Sequence, residues 1–246
     1  MDIEALLERL SEAAMRSGFK VSSYGKVGDV SLPVLERHCS PDAPDIYISS
    51  GIHGNEPAGP MTVLEMLRKD SLPQSVNLTL FPVINPIGLK MGTRENADGI
   101  DLNRDYGPKP SSYETAVHMD YMSAMSFDFA ICLHEDDDGQ GFYIYSHIPD
   151  STEVDYPGLA IEAARPFTGI DQREEIDEMP ALNGRMCPSD SVIESFGDNL
   201  PEALYLMNKH HSRYTFTTET PSGQPITKRM CAHEAVICAL LKGFLA

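Results

Sequence analysis

Apolar positions along the chain recur with two alternating periods. Ile3, Leu6, Leu7, Leu10, Ala13 and Ala14 fall at helical spacing, and the run stops near Gly18. Phe19 to Tyr24 and Val30 to Glu36 read as short strands, turned at Gly25 and Gly28-Asp29. Asp45 to Ser50 reads as a buried strand, Pro57 to Lys69 as a helix and Val76 to Val83 as another interior strand. From Asn85 to Pro110 the periodicity disappears and Gly, Pro, Asn and Asp dominate. Loops of that length are uncommon inside compact domains and tend to carry function. Helical spacing returns over Ser112 to Met125, and the apolar strand Phe127 to Leu133 stops at His134. Gly141 to Tyr145 is a second strand, Glu153 to Ala164 a helix, and Pro166 to Cys187 irregular. Ser191 to Phe196 reads as a short strand and Pro201 to His211 as a helix. Tyr214 to Thr218 is a strand ending at Glu219, and Thr227 to Leu245 is a closing amphipathic helix.

Strands that alternate with helices predict an α/β fold, with a mostly parallel sheet covered on both faces. No internal repeat, low-complexity segment or linker divides the 246 residues, so one domain over 1–246 is expected. A hydrophobic content of 41% fits a sizeable core, and the mean hydropathy of -0.25 agrees. The net charge of -18 argues against nucleic acid or an anionic membrane surface as partner, since both need basic patches. Five scattered cysteines without a C-x-x-C pair suit a reducing compartment, with Cys132 and Cys238 packed as small hydrophobes. Met1-Asp2-Ile3-Glu4 has no secretory character and no apolar run approaches a membrane span, so the expected location is cytoplasmic.

Chemistry concentrates where the apolar runs end. Gly51-Ile52-His53-Gly54-Asn55-Glu56 follows a buried strand and presents an imidazole and a carboxylate at a turn. Both suit zinc, whose catalytic sites typically combine three protein ligands with one open position. His134 is the best third ligand, because it emerges directly after an apolar strand. Glu219, at another strand end before Pro221 and Gly223, has the setting of a general base. Arg94 and Arg104 bring cations into the long loop, where an Arg fork with Asn103 suits a carboxylate and a second Arg suits an oxyanion. Each residue also has an ordinary structural reading: a strand-end His, an exposed Glu, or arginines paired with Glu95, Asp98, Asp101 or Asp105. The acidic run Glu135 to Asp138 reads as a solvated turn, with Glu135 close enough to His134 to support it. His38, His118, His147, His210, His211 and His233 read as structural or solvated.

Taken together and in order, these parts resemble the zinc metallocarboxypeptidase family, including its aspartoacylase and succinylglutamate desuccinylase branch. His53-Gly54-Asn55-Glu56 looks like the His-x-x-Glu zinc motif, and Asn85-Pro86-Ile87-Gly88 like the Asn-Pro-Asp-Gly turn. Gly92-Thr93-Arg94 with Asp101-Leu102-Asn103-Arg104 resembles the oxyanion arginine and the carboxylate-binding pair. His134 matches the third ligand and Glu219 the catalytic glutamate. The resemblance implies a mixed sheet of roughly eight strands with helices on both sides. It also implies one Zn²⁺ per chain on His53, Glu56 and His134, and hydrolysis of an amide beside a free carboxylate. Asp105-Tyr106 and Glu135 depart from the family pattern, and Tyr205 is the best match for its substrate-capping tyrosine. The implied substrate is a small peptide, or an acyl-amino acid on the deacylase branch. A silent metal-binding domain, or a two-metal aminopeptidase using Glu135 to Asp138, are the remaining alternatives.

Overall fold

The structure is a computed structural model and describes residues 1–208 and 211–246. His210 therefore lies outside the described residues. In chain order the elements are α1 (Ile3–Arg16), β1 (Lys20–Val27), β2 (Val30–Arg37), β3 (Asp45–Ser50), α2 (Ala58–Lys69) and β4 (Asn77–Phe81). There follow α3 (Pro86–Met91), α4 (Tyr113–Met122), β5 (Phe127–Asp136), β6 (Tyr143–His147) and α5 (Tyr156–Thr168). The chain continues through β7 (Glu175–Ile176), β8 (Met179–Pro180), β9 (Arg185–Met186), α6 (Asp190–Ser195), α7 (Glu202–Asn208), β10 (Ser212–Pro221) and α8 (Ile226–Phe244).

Eight strands form one sheet in the order β1-β2-β4-β3-β5-β10-β6-β9. The interior strands β4, β3, β5 and β10 are parallel, whereas β2 and β6 flank them antiparallel. This is the mixed, mostly parallel α/β sheet expected. Residue alternation sorts the two faces, because successive strand side chains point to opposite sides. Ile46, Ile48, Phe129, Ile131 and Leu133 join α1, α2, α5 and α8 in one core. Tyr47, Phe81, Ala130 and Cys132 join α4 and α7 in the other. Among the described residues no helix is long and apolar enough to cross a membrane.

Several sequence expectations change here. The stretch from Asn85 to Pro110 is not structureless: Asn85 caps α3 through its side chain (Gly88 N to Oδ1, 2.9 Å). Asp101 likewise caps a 3-10 turn at Leu102–Arg104. Ser191 to Ser195 lies in α6 with Phe196 as its C-cap, not in a strand; Val192, Ile193 and Phe196 fall at helical spacing, and six residues are too few to separate the two periods. The irregular Pro166 to Cys187 contains the β7–β8 hairpin and β9. Cys238 is exposed on α8, unlike buried Cys132.

His118 and His233 sit fully buried in the two layers. Burial pushes each imidazole down to about 3. A histidine in the unfolded chain titrates near about 6.5, so below that pH the unfolded chain binds more protons than the folded one. Stability is then present in full above about 6.5 and lost as pH falls toward about 3, by up to about 1.4 kcal/mol per pH unit per residue. Urea unfolding between pH 6.5 and 5, above most carboxylate titration, should show this slope, and His118→Gln should flatten it. An unaltered slope in that variant would remove His118 as its source.

A candidate metal centre and the cavity around it

The sheet order places the site. From β3 the chain passes through α2 to β4 on one side, and later returns to place β5 on the other. Such a reversal opens a crevice beyond the carboxyl ends of the strands. The turn after β3 enters this crevice. Gly51 has φ +63°, and a Cβ there would meet the Pro60 side chain at 3.0 Å. Gly54 lies directly against the Gly88 backbone, where no Cβ fits. Glycine at both positions lets the turn fold tightly and aim His53 and Glu56 at β5.

His134 and Glu219 lie inside β5 and β10 rather than just past them, because the two strands stay paired to Asp136 and Pro221. They are register partners, so their side chains stand side by side on one face.

His53, Glu56 and His134 converge. His53 Nδ1 is 2.5 Å from Glu56 Oε1, and His134 Nδ1 is 3.1 Å from Glu56 Oε2. One donor atom from each lies within 4.8 Å of the others, and the three residues are only 2–3% exposed. Burial alone would raise the Glu56 carboxyl, but the two imidazoles outweigh it and hold it down to about 2. Burial would likewise lower His53; Glu56 and Asp101 reverse this and raise it. Glu56 Oε2 is buried and makes no well-directed hydrogen bond, with His134 Nδ1 its polar neighbour at 3.1 Å. Two nitrogens and a carboxylate, gathered inside a buried pocket and poorly aligned to bond one another, fit a divalent ion of the zinc type.

The supporting contacts were only partly legible. His53 turns its far nitrogen, Nε2, to Asp101 Oδ1 at 3.1 Å, fixing the ring. Asp101 Oδ2 in turn accepts from Arg94 Nε at 3.0 Å. Burial would raise Asp101, yet His53, Arg94 and Arg104 hold it well below the usual carboxylate range. Asp101 stands in the sequence beside Asn103 and Arg104, but its contact with a residue 48 positions away leaves no local signal.

Arg94 Nη1 lies 3.4 Å from His53 Nδ1. Asn103 Oδ1 accepts from the Glu202 backbone N–H at 2.8 Å, and Arg104 lies over the Phe196 ring at 5.3 Å. With Glu219 they line a cavity of about 650 Å³ that opens over the His-Glu-His cluster. All seven residues singled out from the sequence thus border one space. Glu219 makes no hydrogen bond or ion pair with other described side chains. Burial raises its carboxyl well above the ordinary range; His134 opposes this, while Glu56, Asp136 and Asp177 add to it.

Two expectations fail. Tyr205 does not reach the cavity: it is 6% exposed and packs against Tyr106 and His211 in the core. Tyr143 and Tyr145 line the cavity instead. Glu135 is not part of a solvated turn. It is buried, accepts from Ala58 N at 2.7 Å and pairs with Arg229. The turn follows Asp136, the last residue of β5, whose carbonyl accepts from Gly139 N and whose side chain is held by Arg173 at 3.0 Å. His147, read as structural or solvated, also borders the cavity.

The succinylglutamate desuccinylase/aspartoacylase catalytic-domain family matches residues 42–160. A proposed metallopeptidase from Shewanella denitrificans superposes with a TM-score of 0.85 at 28% identity, covering 98% of this chain and 89% of that one. A second, from Shewanella baltica, gives 0.86 at 26%, with 98% and 92% covered. A metallo-carboxypeptidase from Burkholderia cenocepacia shares the fold, with a TM-score of 0.73 at 15% identity over 96% of this chain and 67% of that one. The curated relative carboxypeptidase SOL1 of Arabidopsis thaliana is 37% identical over a stretch covering 24% of this chain and only 14% of its own length.

Proposed function

We propose that this chain, a member of the zinc-carboxypeptidase-like family, is a zinc-dependent hydrolase that cleaves an amide next to a residue with a free carboxylate. The observation that carries the reading is the buried His53-Glu56-His134 cluster opening into a cavity that also holds Glu219, Arg94, Asn103 and Arg104. His53, Glu56 and His134 would hold the ion. Zinc on such a ligand set polarises a carbonyl and lowers the pKa of water.

The chain's own residues do the rest. Glu219, beside His134 and raised in pKa, takes a proton from the attacking water and delivers it to the leaving amine. Arg94, braced by Asp101, supplies positive charge for the oxyanion. Asn103 keeps its amide N–H₂ free for the substrate carboxylate because its Oδ1 is fixed on Glu202 N, and Arg104 adds the charge.

A second reading is favoured by the desuccinylase/aspartoacylase match over residues 42–160: the scissile amide joins an acyl group, not a peptide, to the amino acid. The ligands and base serve both. Dialysis against zinc should leave one ion per chain by elemental analysis, and a chelator should remove metal and turnover together. Comparing blocked dipeptides with N-acyl amino acids then separates peptidase from deacylase. Metal content near zero after loading, or no hydrolysis of either substrate set, would defeat the proposal.

A further inference from the structure

Beyond the metal cluster the cavity runs along one face of two paired strands. Glu219 and Thr217 on β10 face it, as do Tyr143, Tyr145 and His147 on β6. Glu219 pairs with Tyr143 and Thr217 with Tyr145, so the floor is continuous from the proposed base inward. Thr217 is 9% exposed, and its hydroxyl has no hydrogen-bond partner among the described residues although it borders the cavity. A threonine nine-tenths buried as a residue, bordering the cavity with its hydroxyl uncommitted, offers a partner to a polar ligand group.

The charges along this floor are one-sided. Arg94 and Arg104 stand at the end where a substrate carboxylate would bind. Two acids on the wall are already neutralised: Glu135 by Arg229 and Asp136 by Arg173. Apart from Glu56 of the metal cluster and the proposed base Glu219, Asp177 and Glu178 remain. They form the tip of the β7–β8 hairpin, border the cavity, and have no ion pair among the described residues. Tyr145, part of the floor, donates its hydroxyl to Asp177 Oδ2 at 2.7 Å and fixes that carboxylate over it. The tip uses positive φ at both residues, 51° and 60°, an arrangement that favours Asn-Gly.

We infer that this half of the cavity takes a cationic side chain, an ammonium or guanidinium on a flexible stem, with Asp177 and Glu178 as its counter-charges and Thr217 as a hydrogen-bonding neighbour. The substrate is then dipolar: its carboxylate at Asn103 and Arg104, its amide over the metal cluster, its cation at the hairpin tip. A space of about 650 Å³ accommodates a residue of lysine or arginine size. An acidic side chain would meet two carboxylates with no counter-ion. The net charge of -18 favours encounter with a cation in the same sense. The inference rests on the amide-hydrolase reading for its scissile bond, but the cation site stands on its own charges.

The test uses the full zinc-loaded chain and matched N-acyl and blocked-dipeptide substrates ending in lysine, arginine, norleucine or aspartate. Lysine or arginine should exceed norleucine in kcat/KM by about tenfold or more, the size of one charge-assisted contact. The double variant Asp177→Asn, Glu178→Gln should cut that ratio by about the same factor. Calorimetry with free lysine and norleucine gives a readout apart from turnover: lysine should bind more tightly, and the double variant should lose the difference. If no substrate of either set is hydrolysed while lysine binds and the double variant releases it, the hydrolase reading falls and the cation site stands. Equal or better turnover of norleucine or aspartate overturns the inference, as does lysine binding that ignores the double variant.

Discussion

Replacing Glu219 by Gln is expected to lower kcat by about 10²–10⁴-fold, the usual worth of a positioned general base, with zinc content and thermal midpoint unchanged. The substitution keeps shape and polarity and removes only the basic oxygen. Glu219 suits this role for three structural reasons. It stands beside His134 in register. It borders the cavity. It is bound to no other described side chain, so a water could approach it. Burial raises its carboxyl well above the ordinary range when the ion is absent, and a bound divalent ion's own charge would oppose that rise. Whatever acid limb the activity shows through this base, Glu219→Gln should remove it from the activity that remains. Retained turnover within about threefold of the parent would strip Glu219 of the role, since that lies far below the effect of a general base.

What could be read from the chain follows the range over which each signal acts. His53 and Glu56 share one turn, so their joint presentation is local and visible. His134 and Glu219 each end an apolar run, and parallel pairing of β5 with β10 then makes them neighbours without further information. Alternation along Tyr47, Ile48, Ala130 and Ile131 settles which face each residue serves. Contacts that depend on the third dimension were not visible. Asp101 braces both His53 and Arg94, but from sequence it was only one of four acids near two arginines. Tyr205 lies close in sequence to Glu219, yet α7 turns it into the core and the aromatic groups in the cavity come from β6. Tyr143, Tyr145 and His147 did carry a signal, an every-second-residue polar-aromatic pattern, but it looks the same whether the face meets a cavity or solvent.

The burial of Glu135 leaves no local signal, since the charges that explain it lie far apart in the chain. Its Oε1 accepts the Ala58 N–H at the start of α2, where Pro57 supplies no side-chain cap. Its other oxygen pairs with Arg229 of α8, whose Nε donates to the Gln224 carbonyl at 2.9 Å. Both side chains are at most 10% exposed. A buried pair of this kind need not stabilise relative to apolar packing, but losing one partner strands a charge in the interior. Arg229→Met should therefore lower the unfolding free energy of the metal-free chain by about 3–5 kcal/mol. The double variant Glu135→Gln, Arg229→Met should recover a large part of that loss, because the neutral amide still accepts from Ala58 and no charge is left unpaired. The consequence reaches the metal centre. Glu135 follows His134 directly, and Ala58 begins the helix two residues after Glu56, so one carboxylate ties the β5 ligand to the turn that carries the other two. Arg229→Met should accordingly weaken zinc retention in a competition titration against a chelator, and the double variant should restore part of it. Denaturation losses below about 1 kcal/mol, or a double variant as unstable as the sum of its parts, would mean that this pair is an ordinary surface contact.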